Sequence, residues 1–195
     1  MLEIAERSGE DFTLTMARMV RGITLVHQDV DPDDDQVRAG RAEGFDLLAQ
    51  VRQAVLREQF NGTMVPIVDL QYAKENIRNG DVANAIELSR AVVEQQYETE
   101  EIEFCGAAVA VLVESLLARG TDADLQEAQS AVDRLAAVPT EAGFVLFEVT
   151  LFRLRALLAR ARGELDAYHD FAVRYREMAT SLGFQGHMAA AKTMT

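Results

Sequence analysis

The residues with the greatest chemical reactivity are few and lie far apart in the sequence. The chain has one cysteine, Cys105, and three histidines, His27, His169 and His187. Metal sites built on His or Cys use short, characteristic spacings, and these four residues match none of them. Cys105 lies in an apolar run, which favours a buried small side chain over a nucleophile. We therefore expect no catalytic residue, no metal and no cofactor in this segment, so that it is not an enzyme.

An aspartate-rich stretch near the N-terminus has part of the spacing of a calcium-binding loop. Asp29, Asp31 and Asp33 stand where the first three ligands of such a loop would stand. The loop also requires glycine at its sixth position and glutamate at its twelfth. Asp34 and Gly40 occupy these positions. The stretch is therefore interpreted as a solvated turn.

Four arginines on one predicted helix are the candidates for a partner-binding site. Arg153 and Arg160 are seven residues apart and share one helix face, whereas Arg155 and Arg162 share another. Either pair could line a groove and bind an acidic peptide or a neighbouring domain through charge-assisted hydrogen bonds.

The chain is strongly acidic, with 32 Asp and Glu against 19 Lys and Arg and a formal net charge of −13. Nucleic-acid affinity comes largely from Lys and Arg contacts to phosphates, so this composition disfavours nucleic acid and, for the same reason, anionic membranes. We expect a protein partner or a neutral ligand. The excess of carboxylates also gives the four arginines an alternative, which is pairing within the chain with Glu148, Asp166 or other acidic residues.

The sequence contains no targeting or membrane-spanning signal. Residues 1–7 are charged and lack the apolar centre of a signal peptide. No apolar run approaches the roughly 20 residues that span a bilayer. A cytoplasmic location is therefore expected.

Hydrophobic residues recur at steps of three and four along almost the whole chain. Clear stripes lie at 82–93, 125–136 and 168–182, and each is typical of an amphipathic helix with one buried face. The segments 107–113 and 144–158 are apolar on most sides and must be covered on most sides. Sustained alternation typical of strands is missing. The predicted helices are 2–8, 10–28, 36–59, 64–79, 82–98, 104–119, 123–137, 144–162, 165–182 and 186–193.

Glycines followed by polar residues mark the turns between these helices. Gly80, Gly120 and Gly163 are each expected to end a helix, and Asp or Thr after them can cap the next one. Their spacing of roughly 40 residues is typical of helical-hairpin repeats. We predict a single all-α domain over 1–195, a solenoid of about four stacked hairpins. The predicted hairpins are 10–59, 64–98, 104–137 and 144–182.

Residues 80–91, Gly-Asp-Val-Ala-Asn-Ala-Ile-Glu-Leu-Ser-Arg-Ala, resemble the second-helix half of a tetratricopeptide repeat. In that pattern Gly-Asp forms the turn, and small residues such as Ala85 and Ala91 let paired helices approach closely. The preceding helix departs from the pattern because Asn76 replaces the usual aromatic residue. The resemblance implies a degenerate tetratricopeptide-like array.

Residues 152–163 and 174–189 are similar to the C-terminal end of large bacterial signalling proteins. In these proteins a class III adenylate cyclase domain and a P-loop ATPase domain precede a helical-repeat tail. Residues 116–125 and 2–9 are similar to other parts of that tail, and residues 2–8 would then end a helix that begins upstream. The resemblance implies a regulatory role with the upstream domains as partners. It supplies no catalytic residue, because no Gly-x-x-x-x-Gly-Lys-Ser/Thr loop and no cyclase domain is found here.

Together, these observations favour a non-catalytic regulatory or protein-interaction module of a cyclase and ATPase signalling protein. The alternative is a free-standing tetratricopeptide-like scaffold or a homo-oligomerisation domain, for which a homodimer is the simplest form. An enzyme in its own right would need a nucleophile–base pair, a metal cluster or a phosphate loop, and the sequence provides none at a recognisable spacing.

Overall fold

The structure is a computed structural model that describes residues 11–27, 35–58, 62, 64–100, 104–139 and 145–194. Within these ranges the regular elements are helices, and no strand is found. The described α-helices are α1 (Asp11–Val26), α2 (Asp35–Glu58), α3 (Met64–Arg78), α4 (Val82–Glu98), α5 (Cys105–Arg119), α6 (Asp122–Ala136), α7 (Val145–Arg162), α8 (Leu165–Leu182) and α9 (Gln185–Lys192).

The all-α class predicted from hydrophobic periodicity is confirmed. Each described helix begins and ends within about two residues of its predicted bounds, which is the usual uncertainty of a helix end. The predicted helix 2–8 and the aspartate-rich turn lie outside the described residues. No helix in the described ranges is both long and apolar enough to cross a membrane.

Backbone contacts divide the chain inside α3 into two compact units, Met1–Tyr72 and Ala73–Thr195. The single domain predicted over 1–195 stays a prediction, and the units are described one at a time.

In the Met1–Tyr72 unit, α1 packs against α2 as the predicted first hairpin. The two helices approach each other closely at a pair of glycines, Gly22 and Gly44. A Cβ atom on Gly44 would lie 2.8 Å from Val26 Cγ1 and 3.0 Å from the Gly22 carbonyl oxygen. The absence of side chains here therefore lets the backbones approach.

In the Ala73–Thr195 unit, helices that are neighbours in the sequence pack against each other from α4 to α9. α5 packs against α6 and α7 packs against α8, which are the predicted third and fourth hairpins. α5 also packs against α7 and against α4. The third and fourth hairpins are thus in contact through their first helices, α5 and α7, whereas α4, which contacts α5, is the second helix of the predicted hairpin 64–98. This helical-hairpin packing agrees with the prediction, whereas the tetratricopeptide-like solenoid stays a prediction.

The turn between α5 and α6 shows how the local sequence sets a hairpin. Gly120 has φ 71°, in the left-handed region that suits glycine, and its N–H donates to the Leu116 carbonyl at 2.8 Å. Thr121 then caps α6 by accepting from the Asp124 N–H at 3.2 Å, and Asp124 accepts from the Thr121 N–H at 3.0 Å. This reciprocal capping box fixes the start of α6 and so the direction in which the chain reverses.

Candidate partner-binding groove

A groove runs between α5 and α7 in the Ala73–Thr195 unit. It consists of two hollows of about 470 Å³ each, which meet at Glu114 and Arg153. We call it the α5–α7 groove. The first hollow is lined mainly by apolar residues, which include Phe104, Ala107, Ala110, Val111, Leu146 and Phe147. The second is lined by Leu117, Ala118, Leu157, Arg160 and Ala161 together with the two shared residues.

Small residues on α5 explain why a hollow is left between two helices that pack. Ala107, Ala110 and Ala118 face the groove, and a methyl group fills little of the space. The other sides of α5 are buried, as the apolar sequence of this helix predicts. At one end the helices touch, since a Cβ on Gly106 would lie 3.1 Å from Cδ1 of Phe147. Gly106 and Phe147 are therefore in close contact and line the apolar end of the groove.

An ion pair crosses the middle of the groove. Arg153 Nη1 on α7 donates to Glu114 Oε1 on α5 at 2.6 Å, and their side chains are 24% and 36% exposed. The pair is therefore open to solvent on one side, and a bound molecule can reach both groups.

Two further titratable side chains reach the first hollow from other helices. Lys74 comes from α3 and His187 from α9. Desolvation lowers the pKa of Lys74, and Arg153 lowers it further, although Glu114 acts in the opposite direction. Desolvation and Arg153 also lower the pKa of His187, so the neutral imidazole is favoured at pH 7.

His187 is held in place by a buried tyrosine. The Tyr175 hydroxyl and His187 Nδ1 are 2.9 Å apart, and the two rings meet edge to face. Burial raises the pKa of Tyr175, so that the hydroxyl in this hydrogen bond stays protonated. This contact fixes α9 against α8 and places His187 at the groove.

The groove carries a net positive charge in an acidic protein. The charged side chains that line it are Lys74, Arg153 and Arg160 on the positive side and Glu114 on the negative side. The whole chain has a formal net charge of −13. Chemically, the groove offers an apolar pocket next to a cationic centre.

No protein-family model matches this chain, and no curated protein matches it. The similarity to the tails of cyclase and ATPase signalling proteins therefore depends on the sequence segments quoted above.

The structure places the four candidate arginines on two sides of α7. Arg153 and Arg160 line the α5–α7 groove. Arg155 and Arg162 line a separate hollow of about 190 Å³, together with Gln129. The structure thus brings together the two residues of each pair and separates the pairs from each other.

Arg153 pairs with a carboxylate of the same chain, which is the alternative weighed in the sequence analysis, but with a partner that was not named there. Glu148 and Asp166 were the acidic residues named there, but Arg153 bonds Glu114 instead. Glu148 precedes Arg153 by five residues, and such a pair lies on different sides of a helix. Among the described residues, Arg160 has no ion pair, and its guanidinium carbon lies 6.0 Å from the centre of the Tyr168 ring.

Three groove residues were missed by the sequence analysis, namely Lys74, Glu114 and His187. One signal was available, because Glu114 is the only charged residue in the apolar run 107–118. A lone carboxylate in such a run requires a partner or access to solvent.

Cys105 is buried, as its apolar surroundings predict, and burial raises the pKa of its thiol. In the part of the chain that the structure describes, no three His, Cys, Asp or Glu side chains converge as metal ligands would.

Proposed function

We propose that this chain is a non-catalytic protein-interaction module whose α5–α7 groove receives a segment of a partner protein. The observation that carries the proposal is the groove itself, an apolar hollow continuous with a cationic one. Leu146 at its apolar end is 47% exposed and adjoins the other apolar residues that line the first hollow. A partner that covered Leu146 would remove this apolar surface from water.

The length of the groove suits a short peptide segment. Its lining on α5 extends from Gly106 to Ala118. At 1.5 Å per residue this part of the helix is about 18 Å long, which accommodates about five residues of extended chain.

The titratable groups of the groove already bond one another, which supports a binding role. Glu114 is paired with Arg153, and Tyr175 is hydrogen bonded to His187. Both contacts hold neighbouring helices together. These side chains therefore serve to shape the surface that a partner contacts.

The proposed setting follows the resemblance described above. We place the module in a cytoplasmic signalling protein in which cyclase and ATPase domains precede it and are its partners. The gene sequence upstream of the codon for Met1 tests this setting. Cyclase and P-loop motifs are expected there, and an upstream region encoding a domain of another class would contradict it.

The proposal is tested by selecting random twelve-residue peptides displayed on phage against the full chain. Peptides that are enriched should fail to bind Ala110→Trp, because the indole would fill the first hollow. Ala136→Trp is the matched control, since Ala136 is exposed on α6 and lies outside the groove residues. Circular dichroism establishes that both variants fold.

Two results would contradict the proposal. One is that no peptide is enriched, and the other is that enriched peptides bind Ala110→Trp as tightly as the unchanged chain.

The alternative, a scaffold that associates with itself, is supported by a different observation. Leu165 and Val173 on α8 are 62% and 46% exposed and lie outside the groove. Light scattering over a wide concentration range tests this alternative. A dimer that Leu165→Ser dissociates would support it, and a monomer at every concentration would exclude it.

A further inference from the structure

We infer that the partner segment in the α5–α7 groove is acidic, with a carboxylate bound between Lys74 and Arg153 and an apolar side chain in the hollow beside Phe147. This inference rests on the proposed function and adds the chemical class of the partner.

The groove contains positive charge that no described carboxylate neutralises. Elsewhere in the described chain, arginines such as Arg90 and Arg119 each bond a carboxylate, Glu127 and Asp124 respectively. Lys74 and Arg160, by contrast, have no ion pair with a described residue. In a chain with an excess of acidic residues, the groove is thus a place where cations outnumber carboxylates. A carboxylate from outside complements this surplus.

Glu114 occupies the position beside Arg153 that the carboxylate of a partner would take. Its bond to Arg153 is made by a side chain that is 36% exposed and can turn towards solvent. An incoming carboxylate offers Arg153 the same hydrogen-bond acceptor and can also approach Lys74. Desolvation lowers the pKa of Lys74, and a second carboxylate nearby would favour the charged ammonium. Glu114 is therefore an internal competitor for the partner.

The arrangement of residues along the groove indicates how apolar and acidic residues are arranged in the partner. Phe147 and Leu146 lie at one end of the groove, Arg153 at its middle, and Arg160 in the second hollow. A segment lying along the groove thus meets the apolar hollow first and the cations next. We expect two or three apolar residues next to acidic ones.

The test uses a fluorescein-labelled peptide with three leucines followed by three glutamates, and reference peptides with glutamine or lysine in place of the glutamates. Binding to the full chain is measured by fluorescence anisotropy. The glutamate peptide should bind at least about tenfold more tightly than the glutamine peptide, because it makes charge-assisted bonds to guanidinium and ammonium groups. The lysine peptide should bind least.

Variants of the chain make the test specific to the groove. Glu114→Gln should tighten binding of the glutamate peptide about threefold or more, since the internal competitor loses its charge. Arg153→Gln should weaken it about tenfold, and Arg160→Gln, at an exposed position, should weaken it to a lesser extent. Arg155→Gln is the matched control on the other side of α7 and should leave binding unchanged.

The outcomes separate this inference from the proposed function. If the glutamine or lysine peptide binds as tightly as the glutamate peptide, or if Glu114→Gln weakens binding, the acidic partner is wrong. The proposed function still stands in that case if displayed peptides select the groove. If no peptide of any composition binds, both are wrong.

Discussion

Two carboxylates near α5 each pair with an arginine, but one is buried in a turn and the other is partly exposed in a groove. Asp124, at the turn that follows α5, is 1% exposed and accepts hydrogen bonds from Arg119, from the Thr121 N–H and from the Thr121 hydroxyl. Glu114, on α5 itself, bonds Arg153 across the groove and remains 36% exposed. Asp124 is hydrogen bonded by residues that are near it in sequence. Glu114 has one described ion-pair partner, and its carboxylate is partly accessible to solvent.

The difference shows that the same chemical group, a carboxylate paired with arginine, is buried and fully bonded in one place and partly exposed in another. The bonds of Asp124 are local and nearly complete, so that their loss would affect the start of α6. Glu114 has a single partner with another cation nearby, so that a substitution changes the charge of a surface. The comparison predicts that substitutions at Asp124 change the stability of the fold, whereas under the proposed function substitutions at Glu114 change the affinity for a partner.

The largest expected effect is on the turn. Asp124→Ala should lower the free energy of unfolding by about 2 kcal/mol, because it removes charge-assisted hydrogen bonds and half of the capping box. Urea denaturation followed by circular dichroism measures the change. Asp122→Ala is the matched control, since Asp122 is exposed in the same turn of α6 and should cost no more than about 0.5 kcal/mol. Equal losses of stability from the two substitutions would show that the hydrogen bonds of Asp124 do not stabilise the turn more than an exposed aspartate does.

Acid should remove part of the same stabilisation. The Arg119 guanidinium holds the pKa of Asp124 well below its usual range, with the Thr121 donors acting in the same direction. The pKa of Asp124 is lower in the folded state than in the unfolded state. The ionised carboxylate therefore stabilises the fold fully at pH values above the unfolded pKa of about 3.9, and this stabilisation is lost as the pH falls towards the folded pKa.

Asp124→Asn provides the reference for this pH dependence. The difference in unfolding free energy between the unchanged chain and the variant should be greatest near pH 7 and should shrink below about pH 4. A difference that stays constant down to pH 2 would show that ionisation of Asp124 contributes nothing.

The smallest expected effect is at Glu114. Glu114→Gln should change the free energy of unfolding by less than about 0.5 kcal/mol, because the pair is partly exposed and the amide oxygen can still accept from Arg153. The same denaturation experiment measures it, with Glu148→Gln as the control at an exposed position on α7. A loss comparable to that of Asp124→Ala would make Glu114 a structural residue and would weaken the proposed role of the groove.

The helices were predictable because their signals are local. Apolar residues at steps of three and four define α4, α6 and α8, and the segment Arg119-Gly120-Thr121-Asp122 contains the cation, the turn glycine and the cap that end α5 and begin α6. The two faces of α7 also followed from spacing, because residues seven apart lie on the same side of a helix.

The groove could not be predicted in the same way. Glu114 and Arg153 are 39 residues apart in sequence and meet only because α5 packs against α7. Lys74 and His187 reach the same hollow from α3 and α9. Local periodicity shows which side of each helix is apolar, but it does not show which polar residues of different helices come to face each other.

The alanines of α5 have a consequence for the entropy of association. An alanine side chain has no rotamers to lose when a partner covers it, so this wall of the groove can be buried without freezing side-chain motion. The ordering cost on the side of this protein therefore falls on a few long side chains, above all Lys74, Arg153 and Arg160. Under the proposed function, selectivity would be concentrated in the same three side chains, because the methyl groups constrain the shape of a partner only weakly.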